Sequence, residues 1–152
     1  MTKELEHFKP VEFGEWWPLM SPKLLNVLDN FREEWGAPCV VSPAEGALGR
    51  KLDQGVMSQH NVNQWGEVRA VDIFPAGMNT PEDCARAFEC AKAAGATGFG
   101  VYTDTSPSNM VHIDVREDRT PDKPATWSRV MKDGKREYLG LFAVMPKGWR
   151  HG

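Results

Sequence analysis

Residues 110–117 read MVHIDVRE, and their strict alternation of apolar and polar side chains predicts a β-strand. Val111, Ile113 and Val115 would point to one side of that strand. The alternate positions, which include His112 and Asp114, would point to the other. The stretch therefore predicts a strand with an apolar face and a second face that carries ionisable groups.

Helices and further strands are predicted on the N-terminal side of this strand. Each of two helices has an N-cap, a proline at its first position and a terminal glycine, over 21–36 and 80–95. Strand-like runs occupy 37–41, 69–74 and 98–103. A long segment without periodicity, 42–68, separates the first two runs, and loops of that length are usually functional.

The last third of the chain adds a hairpin, because Asp133-Gly134 separates two strand-like runs. Mixed helices and strands, with several strands joined by hairpins, favour an α+β fold. We expect a small single domain over 1–152, mainly an antiparallel sheet with two main helices.

Composition excludes several classes of protein. The chain has 152 residues, 41% of them hydrophobic, and a net charge of −3, so nothing predicts binding to nucleic acid. No stretch approaches the length of a membrane span or resembles a signal peptide, so we expect cytoplasmic synthesis without export by that route. The cysteines Cys39, Cys84 and Cys90 are expected to be free buried thiols.

Asp72 is the anomaly of the sequence, because it lies between Val71 and Ile73 in an apolar run. A buried carboxylate needs a cation or hydrogen-bond donors. His60 in the preceding loop and His112 could form with it a two-histidine, one-carboxylate metal site of the kind found in catalytic zinc centres.

Simpler interpretations of these residues remain open at this stage. An arginine could pair with Asp72 and leave His112 merely packed, and Arg50, Arg69 and Arg116 are all available. Four of the six tryptophans, Trp16, Trp17, Trp65 and Trp127, could line a groove, but residues of this type more often belong to the core.

The order of the motifs resembles the zinc D-alanyl-D-alanine carboxypeptidase and L-alanyl-D-glutamate endopeptidase family, over roughly residues 5–130. The matching pieces are Ser58-Gln59-His60, Gly66, Ala70-Val71-Asp72, GFGVY at 98–102 and Val111-His112-Ile113-Asp114. The resemblance implies the small α+β zinc peptidase fold of this family. It also implies a Zn²⁺ ion held by His60, Asp72 and His112. It also implies cleavage of bacterial peptidoglycan peptides, as in phage endolysins.

The resemblance also implies catalytic and substrate-binding residues. The position at which many members carry their general base is Asn109 here, so Asp114 or Asp104 is expected to take that role. The family's substrate-binding arginine is replaced as well, and Arg50 and Arg116 are the expected substitutes. Ser58, from the first motif, and Trp65, from the long loop, are further expected substrate contacts.

A second function is compatible with these departures. The domain could be a weak or inactive peptidase-like structural protein of a phage virion, in a tail or neck, with other virion proteins as partners. We therefore expect the protein to act either at the bacterial cell wall or within a virion.

Overall fold

Two helices of 14 residues each, α1 (Pro22–Trp35) and α3 (Pro81–Ala94), form one layer of the computed structural model, which describes residues 4–150. Both begin and end as predicted. At the N-termini, Ser21 Oγ accepts from the Leu24 amide and Thr80 Oγ1 accepts from the Asp83 amide. At the C-termini, Gly36 and Gly95 end the helices in the left-handed conformation.

A six-stranded sheet forms the other layer. The strands are β1 (Cys39–Val41), β2 (Ala70–Pro75), β3 (Gly98–Tyr102), β4 (Met110–Asp114), β5 (Ala125–Lys132) and β6 (Lys135–Leu139). Their order is β1-β2-β4-β3-β5-β6, and every neighbouring pair is antiparallel except β3 and β5. The predicted α+β class and largely antiparallel sheet are confirmed.

The two faces of the sheet have different surroundings. Val71, Ile73, Val111 and Ile113 are fully buried in the cluster that also contains the apolar stripes of α1 and α3. The alternation along β4 is therefore realised as predicted. The opposite face carries the ionisable residues and remains open.

The long segment before β2 contains more structure than its sequence indicates. It includes a one-turn helix, α2 (Val62–Trp65), with Asn61 as its N-cap. Two 3₁₀ segments, Pro10–Leu19 and Leu141–Val144, were also not predicted. The Asp133-Gly134 turn joins β5 to β6 with positive φ at both residues, as the predicted hairpin requires.

Candidate metal centre

A cleft of about 1140 Å³ lies on the open face of the sheet and crosses most of its strands. Its lining extends from Val40 on β1 to Tyr138 on β6. The segments 42–47 and 58–60 line one part of it, and 104–107 lines another. The three predicted metal ligands lie in this cleft.

Strand register brings two of the ligands together. Asp72 on β2 is paired directly with His112 on β4, so their side chains leave the same face side by side. His60 reaches them from the long segment. The Oδ1 atom of Asp72 lies 3.2 Å from His112 Nδ1 and 3.6 Å from His60 Nε2. All three residues are buried, with exposures of 3% for His60, 7% for Asp72 and 5% for His112.

The other nitrogen of each imidazole is already occupied by an acceptor. His60 Nδ1 lies 2.6 Å from the Leu48 carbonyl oxygen, which can only accept, so Nδ1 carries the hydrogen and Nε2 is left for the centre. His112 Nε2 donates to Asp114 Oδ2 at 2.7 Å and leaves Nδ1. Both tautomers are those a metal ion requires, and contacts of this kind orient ligand histidines in metal sites.

The geometry fits one small divalent ion. The three ligand atoms lie within 4.8 Å of one another. Tetrahedral zinc with bonds of about 2.0–2.2 Å would separate its ligand atoms by roughly 3.4 Å, which is near the two distances to Asp72. Among residues 4–150, the only other such group, Glu6, His7 and Glu33, includes two exposed glutamates.

The ionisation of the group reflects competition between burial and charge. Burial would raise the pKa of Asp72, but the two imidazoles, His112 first, outweigh it and hold that pKa below its ordinary value. Burial lowers the pKa of His60 by more than Asp72 raises it. For His112, Asp114 and Asp72 outweigh burial and raise the pKa to about 9. Of the two imidazoles in the metal-free centre, His112 therefore takes up the second ring proton more readily than His60.

Arginine does not neutralise Asp72 in the described part of the chain. Arg69 pairs with Glu67 and Glu117, and Arg116 pairs with Asp114. The structure therefore contradicts the interpretation in which Asp72 forms an ion pair with an arginine.

Asp114 lies behind His112 and is not among the residues that line the cleft. Its side chain is fully buried and accepts from His112 at 2.7 Å and from Arg116 Nη2 at 2.6 Å. Room for the carboxylate depends on Gly98, since a Cβ there would lie 2.1 Å from Asp114 Oδ1. The expected base role does not suit this position; Asp114 instead orients His112, one of the three residues that could hold a metal ion.

Asp104, the other expected base, does line the cleft. Its fully buried carboxylate is held by Arg129, with Nε at 2.8 Å from Oδ2 and Nη2 at 3.3 Å from Oδ1. Arg136 Nε lies 3.5 Å from the same Oδ2. The Asp104 carboxylate is therefore occupied by contacts with two guanidinium groups.

The predicted substrate contacts Arg50, Arg116 and Ser58 all line the cleft. Arg50 Nε donates to the Gly46 carbonyl at 2.8 Å, which fixes the start of its guanidinium group. The guanidinium of Arg116 lies over the Trp127 ring. Ser58 Oγ accepts from the backbone amide of His60 at 3.3 Å and so helps to position a ligand.

The tryptophans divide between core and cleft. Trp16 and Trp17 pack against the core cluster. Trp127 lines the cleft, above Gly100, where a Cβ would collide with its indole. Trp65 is not among the lining residues; its indole N–H donates to the Ser58 carbonyl at 2.8 Å, and Arg69 lies over its ring.

Two residues that the sequence analysis did not single out contribute to this region. Asn61 is fully buried, and its carboxamide makes four hydrogen bonds that tie the long loop together beside His60. Glu45 is an exposed acid that lines the cleft and has no ion pair within the described residues. The fold places Glu45 at the cleft, and no motif spacing in the sequence identifies it.

Comparisons with known proteins do not assign this chain to a family. No protein-family model, curated protein or solved structure matches it. Between residues 4 and 150, none of the helices has both the length and the apolar character needed to cross a membrane.

Proposed function

We propose that this protein is a zinc-dependent peptidase that hydrolyses a peptide bond in the stem peptides of bacterial peptidoglycan. The observation that carries the proposal is the buried His60–Asp72–His112 group in an open cleft, with the second nitrogen of each histidine bound to an acceptor. The resemblance of the motifs supports the choice of substrate.

Three ligand atoms would hold the ion: His60 Nε2, Asp72 Oδ1 and His112 Nδ1. When bound to three protein ligands, Zn²⁺ polarises a carbonyl and lowers the pKa of a bound water to about 7. Asp114 and the Leu48 carbonyl keep the two imidazoles in the required tautomers.

Glu45 is the general base in this proposal. Its loop is bound to the backbone of Asp72 on both sides, through Ser42 N–H to the Asp72 carbonyl at 2.9 Å and Asp72 N–H to the Ala47 carbonyl at 3.0 Å. Glu45 would take a proton from the attacking water and return it to the leaving amine. Arg50, on the same loop, would stabilise the developing negative charge on the carbonyl oxygen.

A second candidate function is a metal-stabilised structural protein of a phage virion. The observation in its favour is the state of Asp104, whose carboxylate is held by two arginines, together with Asn109 at the position where the family carries its base. In that case the ion would only brace the loop that carries His60.

Zinc content and turnover separate these functions. We expect about one zinc per chain by elemental analysis of the purified protein, and its loss in His112→Ala. The matched control is His7→Ala, which removes the histidine of the only other histidine–carboxylate group in the described chain and should leave the zinc in place.

The zinc-loaded protein should release peptide fragments from purified peptidoglycan, detected by mass spectrometry, and His112→Ala should not. Zinc without turnover would favour the structural protein. A folded chain that takes up no zinc would contradict both functions.

A further inference from the structure

Arg129 and Arg136 form a cluster around Asp104 at the end of the cleft that the β5–β6 hairpin lines. Its centre is the fully buried Asp104 carboxylate, to which Arg129 donates through Nε and Nη2. The Arg129 guanidinium in turn lies 4.6 Å from the Tyr102 ring and 5.8 Å from the Tyr138 ring. These contacts hold Arg129 rigidly and satisfy its charge.

Arg136 is the second cation of this cluster, and its charge is not matched. It approaches the same carboxylate only through Nε, at 3.5 Å, and its side chain is 61% exposed. One carboxylate thus serves two guanidinium groups, so the cluster keeps a net positive charge. The remaining donors of Arg136 have no partner among residues 4–150, and the residue lines the cleft.

This arrangement differs from an ordinary solvated surface charge. Asp104 and Arg129 form an ion pair without net charge, and Asp104 Oδ2 lies 3.5 Å from Arg136 Nε at the wall of the cleft. Tyr138, which is 64% exposed and lines the cleft beside it, supplies an aromatic surface. A guanidinium group held in place binds carboxylates through paired, charge-assisted hydrogen bonds.

Sheet register sets the distance of this cluster from the metal centre. His112 on β4 pairs with Gly100 on β3, and β3 pairs in turn with β5, which carries Arg129. Arg136 and Tyr138 lie on β6, the next strand beyond β5. Three strand spacings amount to about 14 Å across the sheet, and an extended peptide covers that length in about four residues.

We propose that Arg136 and Tyr138 form a carboxylate-binding subsite, and that the substrate is an acidic peptide with a carboxylate several residues from the bond that is cut. The inference deepens the proposed function and rests on it for the position of that bond. It assigns recognition of the substrate's charge to the β5–β6 hairpin. Most of that hairpin lies outside residues 5–130, the part of the chain over which the motifs resemble the peptidase family.

Calorimetric titration with two synthetic peptides tests the subsite. One is a peptidoglycan stem tetrapeptide with free carboxylates, and the other is the same peptide with every carboxylate amidated. We expect the wild-type chain to bind the free form about tenfold more tightly, as a charge-assisted hydrogen bond allows. Arg136→Gln should remove that preference, and Arg136→Lys should restore part of it.

The matched control is Arg119→Gln, which alters an exposed arginine that does not line the cleft. It should keep the full preference for the free peptide. Equal binding of the two peptides by the wild-type chain, absence of binding of either, or an unchanged preference in Arg136→Gln would overturn the subsite.

Each titration is performed on the metal-free chain as well as on the zinc-loaded chain. A chain that takes up no zinc but still prefers the free carboxylates through Arg136 would contradict the peptidase and leave the subsite intact. A chain that binds zinc and cleaves peptidoglycan without that preference would support the peptidase and remove the subsite.

Discussion

His112 donates through Nε2 to Asp114 Oδ2 at 2.7 Å, while its Nδ1 atom lies 3.2 Å from Asp72 Oδ1. A single imidazole therefore lies between two carboxylates, one behind it and one beside it in the cleft. Arg116 binds the rear carboxylate and completes a chain of alternating charge. The arrangement both fixes the direction of the Nδ1 atom and determines when that atom carries a proton.

Replacing Asp114 with asparagine should weaken zinc binding. The amide is neutral, so it supports the Nε2–H of His112 less well and leaves the Arg116 charge unmatched. Loss of such an orienting partner costs about 10- to 100-fold in metal affinity. Competition with a chromogenic chelator measures the affinity, and Asp122→Asn, on the exposed surface, is the control. Equal affinities in the two variants would show that Asp114 does not orient the ligand.

The metal-free protein should lose stability as the pH rises above neutrality. The folded chain raises the pKa of His112 from 6.5 to about 9, because hydrogen bonds to Asp114 and Asp72 outweigh burial. The contribution of protonated His112 is therefore fully present below about pH 6.5 and is lost as the pH rises through 9. Its size is on the order of 3 kcal/mol.

Urea unfolding of the chelator-treated protein at pH 6, 7.5 and 9 measures this loss. Burial raises the pKa of Cys39 to about 12, so ionisation of this thiol in the unfolded chain also lowers stability near pH 9, with or without zinc. Zinc-loaded protein should therefore show a smaller decline, because a metal-bound His112 has already given up the Nδ1 proton. An unfolding free energy of the metal-free chain that stays constant from pH 6 to 9 would contradict a protonated His112 between Asp72 and Asp114.

Replacing Asn61 with alanine should destabilise the loop that carries His60. The carboxamide accepts from the amides of Leu52 and Asn63 and donates to the carbonyls of Asp53 and Val56. Its removal leaves several backbone groups without partners and should cost about 2–4 kcal/mol in unfolding free energy.

Urea denaturation measures that cost, with Asn63→Ala as the matched control. Asn63 is exposed and donates only one side-chain hydrogen bond, to the Leu52 carbonyl, so its loss should cost less than about 1 kcal/mol. Similar losses in the two variants would contradict the central role of Asn61 in the loop.

Replacing Glu45 with glutamine should separate catalysis from metal binding. Glutamine keeps the shape of the side chain but cannot take a proton, so turnover of peptidoglycan peptides should fall by about 100- to 10,000-fold. Zinc content should not change, because Glu45 is not one of the three ligand residues. Glu89→Gln, on the exposed side of α3, should retain full turnover. Undiminished turnover in Glu45→Gln would exclude Glu45 as the base.

The sequence by itself determined the two main helices, most strands and the faces to which the residues of β4 point. Helix caps at Ser21 and Thr80 and the alternation along β4 are local patterns, and local patterns depend only on near neighbours in the chain. The sequence also identified Asp72 as an ionisable residue in an apolar run and placed His112 on the polar face of its strand.

Only the tertiary structure decided which of these residues meet. The pairing of Asp72 with His112 and the contact of Arg136 with Asp104 join residues that are distant in the chain. Gly98 and Gly100 belong to the same category, since the space they leave matters only for the neighbours that fill it. Register and packing are set by long-range contacts, and those contacts turn scattered polar residues into a centre that can hold a metal ion.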